Sequence, residues 1–185
     1  MSYPEIQLKG APGDSIVFVP KGGTYTEAGA ILIDDITHAQ SDIYPEESDI
    51  NTDSIGVYTI TYKAHNTNGF ETTQNRFVAI YNPAINAEDF TGSYSHTNGQ
   101  VAAVIQKASR LFSCDDIYGT FTIPIPGYFV DLGDFLYLPK QPIDPSLGSF
   151  IYGEGLKSGA SGTYILDFHG LIRDGLSRPR TLTQI

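Results

Sequence analysis

Between Val57 and His65 the chain alternates, with Tyr58, Ile60, Tyr62 and Ala64 on one face and Thr59, Thr61, Lys63 and His65 on the other. A period of two with one apolar side describes a strand lying half against a core. Asn66-Thr67-Asn68-Gly69 follows, and its Asn-Gly step supplies the positive φ of a tight hairpin. Arg76–Tyr81 is the return strand, so residues 57–81 are predicted to form a β-hairpin. Upstream, Ser15–Val19 and Ala30–Ile33 are short apolar strands, closed by Pro20-Lys21-Gly22-Gly23 and by Asp34-Asp35. Residues 36–53 are polar and poor in strand pattern, a long connection or an edge. Tyr58 opens the penultimate strand just after the Asp53–Gly56 turn. That is the position of a tyrosine corner, whose phenol bonds back to nearby backbone.

The alternation stops at Asn82-Pro83, because proline cannot donate a ladder bond. We therefore read two domains, 1–82 and 83–185. The second opens at Asp89-Phe90-Thr91-Gly92-Ser93-Tyr94 and carries strand patterns at Tyr118–Ile123, Tyr128–Val130, Phe135–Leu138, Phe150–Tyr152 and Thr163–Phe168. Val101, Val104, Ile105, Ala108 and Leu111 recur at helical spacing, so periodicity alone makes residues 100–112 a helix. Composition points the other way. Twelve Tyr, ten Phe, 19 Gly and 11 Pro, with no Trp and one Met, favour strands and turns. The fold class expected is all-β, an Ig-like β-sandwich followed by a second antiparallel β-rich domain.

Two groups of residues carry a resemblance to a known family. Val19–Ala30, Gly56–Tyr62 and Asn68-Gly69 resemble the bacterial Ig-like domain of Bacteroides-type surface lipoproteins. Asp89–Tyr94 and Cys114–Phe121 are similar to the companion C-terminal domain of that group. The resemblance implies that residues 101–112 form strand rather than helix. It also implies an exported protein of the outer membrane, cell surface or periplasm, associated with polysaccharide uptake. The family's lipid-bearing cysteine is not in this chain, which begins Met1-Ser2-Tyr3, so membrane attachment would come only through a lipid anchor absent from it.

Charge removes one partner class. The net charge is −10, with 11 acidic and 4 basic residues before Pro83. Nucleic-acid binding draws on clustered Lys and Arg, and Arg173, Arg178 and Arg180 are the nearest approach to a cluster. No apolar run of about 18 residues marks a spanning helix. Cys114 is the single cysteine, so no intrachain disulfide forms, and its expected place is a small buried side chain.

Candidate chemistry is sparse. His38, His65, His96 and His169 stand apart from one another and from Cys114, so no zinc spacing occurs, and His65 falls on a polar strand face. Asp49, Asn51 and Asp53 imitate a calcium loop, but Ser54 and Ile60 stand where an EF-hand needs Gly and Glu. A looser calcium site using Asp34, Asp35 or Asp53 stays open. Ser158-Gly159-Ala160-Ser161-Gly162 is not a nucleophile elbow. A glycosidase would need two carboxylates, for which Asp131, Asp134 and Glu154 are the candidates. No cofactor and no catalytic set is expected.

The remaining signal is aromatic. Tyr118, Phe121, Tyr128, Phe129, Phe135, Tyr137, Phe150 and Tyr152 crowd one stretch, and most belong in a core that has no Trp to fill it. Tyr128 and Phe129 are adjacent, so in a strand they face opposite sides. Beside the turn of Pro124, Pro126 and Gly127, this pair and Tyr137 are the expected ligand-binding residues. The ligand would be a polysaccharide or oligosaccharide stacked on an exposed ring, or else a surface protein partner.

Overall fold

The computed structural model describes residues 3–10, 15–45, 48–120, 123–144, 149–169, 172–173, 176–177 and 179–185. They fold as two compact units, Met1–Tyr81 and Asn82–Ile185. Every regular element among the described residues is a strand, so the all-β expectation holds.

The first unit has six strands: β1 Glu5–Leu8, β2 Ile16–Pro20, β3 Ala30–Ile33, β4 Gln40–Ile43, β5 Gly56–His65 and β6 Glu71–Tyr81. One sheet runs β1-β3-β4, the other β2-β6-β5, with β2 parallel to β6 and the other pairs antiparallel. Val19, Ala30, Ile60, Tyr62, Val78 and Ile80 are buried between them, joined by Ile6, Leu8 and Ile43. Residues from both sheets thus meet in one core, which defines a sandwich. On β5, Ile60, Tyr62 and Ala64 are buried while Thr59, Thr61, Lys63 and His65 are exposed. His65 lies 3.2 Å from Glu71 across the hairpin.

The turn at Asn66–Gly69 forms as its sequence predicts, with Gly69 at φ +80°. Asn66 Oδ1 accepts from the amides of Asn68 and Phe70, each at 3.0 Å. The Tyr58 corner also forms, its hydroxyl donating to the Ser54 carbonyl at 3.3 Å. Of the two readings of residues 36–53, a connection or an edge, the stretch holds an edge strand, β4, whose exposed side needs no apolar residues. Asp34 is a clamp rather than a free loop carboxylate. It accepts from the amides of Ile36 and Thr37 and from the amide and hydroxyl of Thr67. The Thr37 amide and the Thr67 hydroxyl, with smaller help from the remaining bonds, hold its carboxyl well below the ordinary range.

A buried charge sits under the first core. Arg76 is 1% exposed. Its guanidinium pairs with Glu27 and donates to the Lys9 carbonyl. Glu27 also accepts from the Tyr62 hydroxyl at 2.5 Å, the Gly29 amide at 2.8 Å and the Tyr25 hydroxyl. Burial works against the charge of Glu27, but the two phenols, the amide and the guanidinium outweigh it and hold the carboxyl low. Burial, then the bond to Glu27, push the Tyr25 phenol up to about 12.

The second unit is a closed barrel. Its wall strands are β7 Gly92–His96, β8 Val101–Ala108, β9 Leu111–Cys114, β10 Gly127–Asp131, β11 Leu136–Asp144, β12 Ser149–Ser158, β13 Ile165–Phe168 and β16 Arg180–Gln184. Each pairs antiparallel with the next, and β16 returns to β7, so eight strands close as a meander. A short hairpin, β14 Ile172–Arg173 and β15 Leu176–Ser177, hangs from β12. At this strand number the interior is just wide enough for side chains to fill, or to hold one small ligand. Here aromatic side chains fill it. Phe112 stacks on Phe129 at 5.3 Å between centroids, and Phe168 meets Phe129 edge-on at 5.4 Å. Cys114 is buried among them, and that burial pushes its thiol up to about 12.

Residues 101–112 are strand, in line with the family resemblance and against the helical period. β8 and β9 are joined through Ser109-Arg110, with Arg110 at φ +66°. The helical spacing was incidental: Ala102 and Val104 face inward while Val101 and Ile105 are 60% and 51% exposed, which is period two. The strand expected at Tyr118–Ile123 is not formed over its described residues. Asp116 is buried there and gathers the amides of Tyr118, Gly119, Thr120 and Ile125 into a loop. A carboxylate offering two oxygens to four amides outcompetes a ladder that has no neighbouring strand to pair with. Phe121 lies outside the described residues.

The second unit has its own corner, unread in the sequence: the Tyr94 hydroxyl donates to the Phe90 carbonyl at 2.8 Å, fully buried. Tyr94→Phe leaves that carbonyl unpaired in the core and is expected to lower the stability of this unit by about 1 kcal/mol. Tyr58→Phe, at a longer and more exposed bond, should cost less. Paired urea titrations of the two variants check the order.

Candidate functional site

The three expected ligand-binding residues separate on the barrel wall. β10 pairs with β9 so that Tyr128 lies opposite Ser113, and β9 pairs with β8 so that Ser113 lies opposite Ile105. These three form one row across the outer face. Tyr128 is 51% exposed, its ring turned to solvent. Phe129 points inward and is 0% exposed, sandwiched in the aromatic core, so its ring is not available to a ligand. Tyr137 pairs opposite Val130, two residues beyond Tyr128, and lies half-buried on the same outer side, across from Glu154. Burial, then the Glu154 charge, raise its phenol above the ordinary value. Tyr128 and Tyr137 are therefore diagonal neighbours on one face, and Phe129 is their support.

One participant escaped the sequence reading. The Gln141 side-chain amide takes the place of a ladder beside Tyr128: its Oε1 accepts from the Tyr128 amide at 2.7 Å and its Nε2 donates to the Tyr128 carbonyl at 2.8 Å. Pro139 and Pro142 flank Gln141 and lack N–H groups, so β11 cannot pair with β10 by main chain alone at this height. Two prolines around a lone carboxamide were the available signal. The result is a Tyr128 ring on the outer wall beside Ser113, its backbone held by the Gln141 amide.

The suspected catalytic carboxylates do not share a face. Asp131 is fully buried, with Lys157 Nζ at 2.9 and 3.1 Å from its two oxygens and Arg110 Nη1 at 3.5 Å. Lys157 also reaches Glu88 at 3.0 Å and lies 5.2 Å from the centroid of the Phe90 ring. Burial opposes the charge of Glu88, yet Lys157 and the Tyr164 hydroxyl hold its carboxyl below the ordinary value. Asp134 accepts from the Asn82 amide at 2.9 Å. Glu154 is outside, opposite Tyr137. Paired hydrolytic carboxylates must flank one bond, whereas Asp131 and Glu154 lie on opposite sides of the barrel wall. Among the described residues no three His, Cys, Asp or Glu side chains group as metal ligands. Asp34 spends its oxygens on the turn, as described above.

Comparison with known proteins bears on the first unit. No curated protein matches the chain. The crystal structure of the lipoprotein BT2262 from Bacteroides thetaiotaomicron aligns over 98% of this chain and 100% of that one, at 14% identity and a TM-score of 0.40. A likeness that loose carries no argument about fold or function. The family model for the bacterial surface protein Ig-like domain matches residues 6–80. The sandwich unit is thus similar, through nearly all of its length, to the Ig-like domains of bacterial surface proteins.

Proposed function

We propose that this protein is an exported, non-catalytic accessory protein of the bacterial cell surface that holds a polysaccharide or oligosaccharide against its barrel wall at Tyr128. The observation that carries this reading is the half-exposed Tyr128 ring on the outer face of the barrel, with Ser113 beside it and Tyr137 diagonal to it. A sugar ring stacks its C–H face on an aromatic ring and bonds its hydroxyls to neighbouring polar groups. The barrel interior is occupied by its own aromatics, so binding takes place on the outside. The family match of the sandwich supports a surface location; in this reading the membrane is reached through a lipid. A second reading makes the same wall a docking face for a surface protein. Ile105 and Val101, both more than half exposed on β8, favour it.

A panel of polysaccharides and oligosaccharides, followed by calorimetry, tests the proposal. A hit is expected to weaken at least about tenfold in Tyr128→Ala, with melting little changed because the half-exposed ring lies on the outer face of the wall. A hit that Tyr128→Ala leaves untouched places the site elsewhere. A silent panel favours the protein-docking reading.

A further inference from the structure

We propose that Lys157 and Asp131 join covalently, through an intramolecular amide bond between the Lys157 nitrogen and the Asp131 side-chain carbonyl, with Glu88 moving the protons. Strand alternation turns Asp131 on β10 and Lys157 on β12 into the barrel. Nζ lies 2.9 Å from one oxygen of the carboxylate and 3.1 Å from the other. An amine centred in this way on a carboxyl group has the carbon about 3 Å away, the separation of a near-attack conformer. Glu88 Oε1 stands 3.0 Å from the same nitrogen. An ion pair needs one carboxylate; here the amine has two, one placed as electrophile and one as base.

The surroundings favour condensation over a lasting charge pair. Asp131 is fully buried and the Lys157 side chain is 11% exposed. The Phe90 ring lies beside the amine, and Tyr164 meets that ring edge-on while its hydroxyl holds the Glu88 carboxylate. In a site with so little water, a neutral amine facing a neutral acid gains ground on the separated charges. Arg110 does not depend on the oxygen that departs, since it also donates to the main-chain carbonyls of Ile85 and Asp131.

The reaction needs no co-reactant. Glu88 passes one ammonium proton to Oδ2 of Asp131, and the freed amine attacks the carboxyl carbon. The Gly133 amide, 2.9 Å from Oδ1, steadies the negative charge that develops on the oxygen that stays. Glu88 then carries a second proton from the nitrogen to Oδ2, the C–Oδ2 bond breaks and water leaves. Of the three ammonium protons, two depart in the water and one remains on the amide nitrogen, while Glu88 ends as it began. The product reaches across β11. β10 and β11 share only the register pairs Val130 with Tyr137 and Asp131 with Leu136, so the link staples the wall where main-chain pairing is short.

Mass spectrometry of the denatured full chain tests this, after the folded protein has been incubated. The chain is expected to be one water lighter than its sequence, and a protease digest to yield a branched peptide joining Asp131 to Lys157. The branched peptide decides, because the Asp174-Gly175 step also loses water when it closes on itself. Lys157→Arg should yield no branched peptide. Glu88→Gln, at a partly exposed side chain, should fold as judged by circular dichroism and form the link at least about tenfold more slowly. Wild-type protein that keeps its full mass overturns the proposal, as does water loss without the branched peptide. Linking in Glu88→Gln at the wild-type rate overturns the part given to Glu88.

Discussion

Asp131→Ala is expected to cost the barrel about 3–5 kcal/mol, the largest loss from a single side chain in that unit. The carboxylate is fully buried, and Lys157 and Arg110 both rely on it. Removing it leaves Lys157, beside the Phe90 ring, with Glu88 alone and takes from Arg110 the buried carboxylate it faces. Breaking a buried pair from one side is far worse than never having built it. Arg110 adds a second penalty. It holds a left-handed turn at φ +66°, which a side chain adopts only when its surroundings fix it. Calorimetry of the full chain should show one transition falling by more than about 10 °C, with the other unmoved. The double variant Asp131→Leu with Lys157→Met should recover only the Lys157 share of the loss, since Arg110 still lacks its carboxylate and Glu88 loses its cation. A melting point for Asp131→Ala within a few degrees of wild type would mean that the network is solvated and contributes little.

Glu27→Ala should do comparable damage to the sandwich. It strands Arg76 and removes the acceptor of two phenols at once. A loss of about 3–5 kcal/mol is a large fraction of what a unit of this size possesses. The same residue sets an acid limit. Its carboxyl lies lower in the folded chain than in the unfolded one, so its contribution is fully present above the unfolded value. That contribution disappears as pH falls through the folded value. Stability of the sandwich should therefore decline below about pH 4, and Glu27→Gln should flatten that decline while lowering the plateau. Urea titrations between pH 3 and 7 separate the two effects. An unaltered slope in Glu27→Gln would assign the acid sensitivity to other carboxylates.

The hairpin, its Asn-Gly turn and the Tyr58 corner were legible because each depends on residues within a few positions of one another. The barrel was not. Its closure pairs Ser95 with Thr183, and no local pattern announces a partner so far along the chain. The Tyr118 strand failed for a related reason. Its β-propensity was real, but Asp116 offered its amides a better arrangement. Of the site, the opposed directions of Tyr128 and Phe129 followed from strand parity alone. Which of them faced out depended on where the core lay, and the part played by Gln141 depended on a gap between strands that only three dimensions reveal.

The order of strands around the barrel has a kinetic consequence. Seven of its eight seams join neighbours in sequence, or neighbours separated by a short excursion, so nearly the whole wall can assemble from contacts made within a few tens of residues. The eighth, between β7 and β16, spans the unit from end to end. Until it forms, both strands expose unpaired backbone, and the aromatic interior stays open to water along one slit. Low contact order favours rapid assembly of everything else. The slow step, and the moment of greatest risk from neighbouring chains, is therefore the arrival of the last five-residue strand.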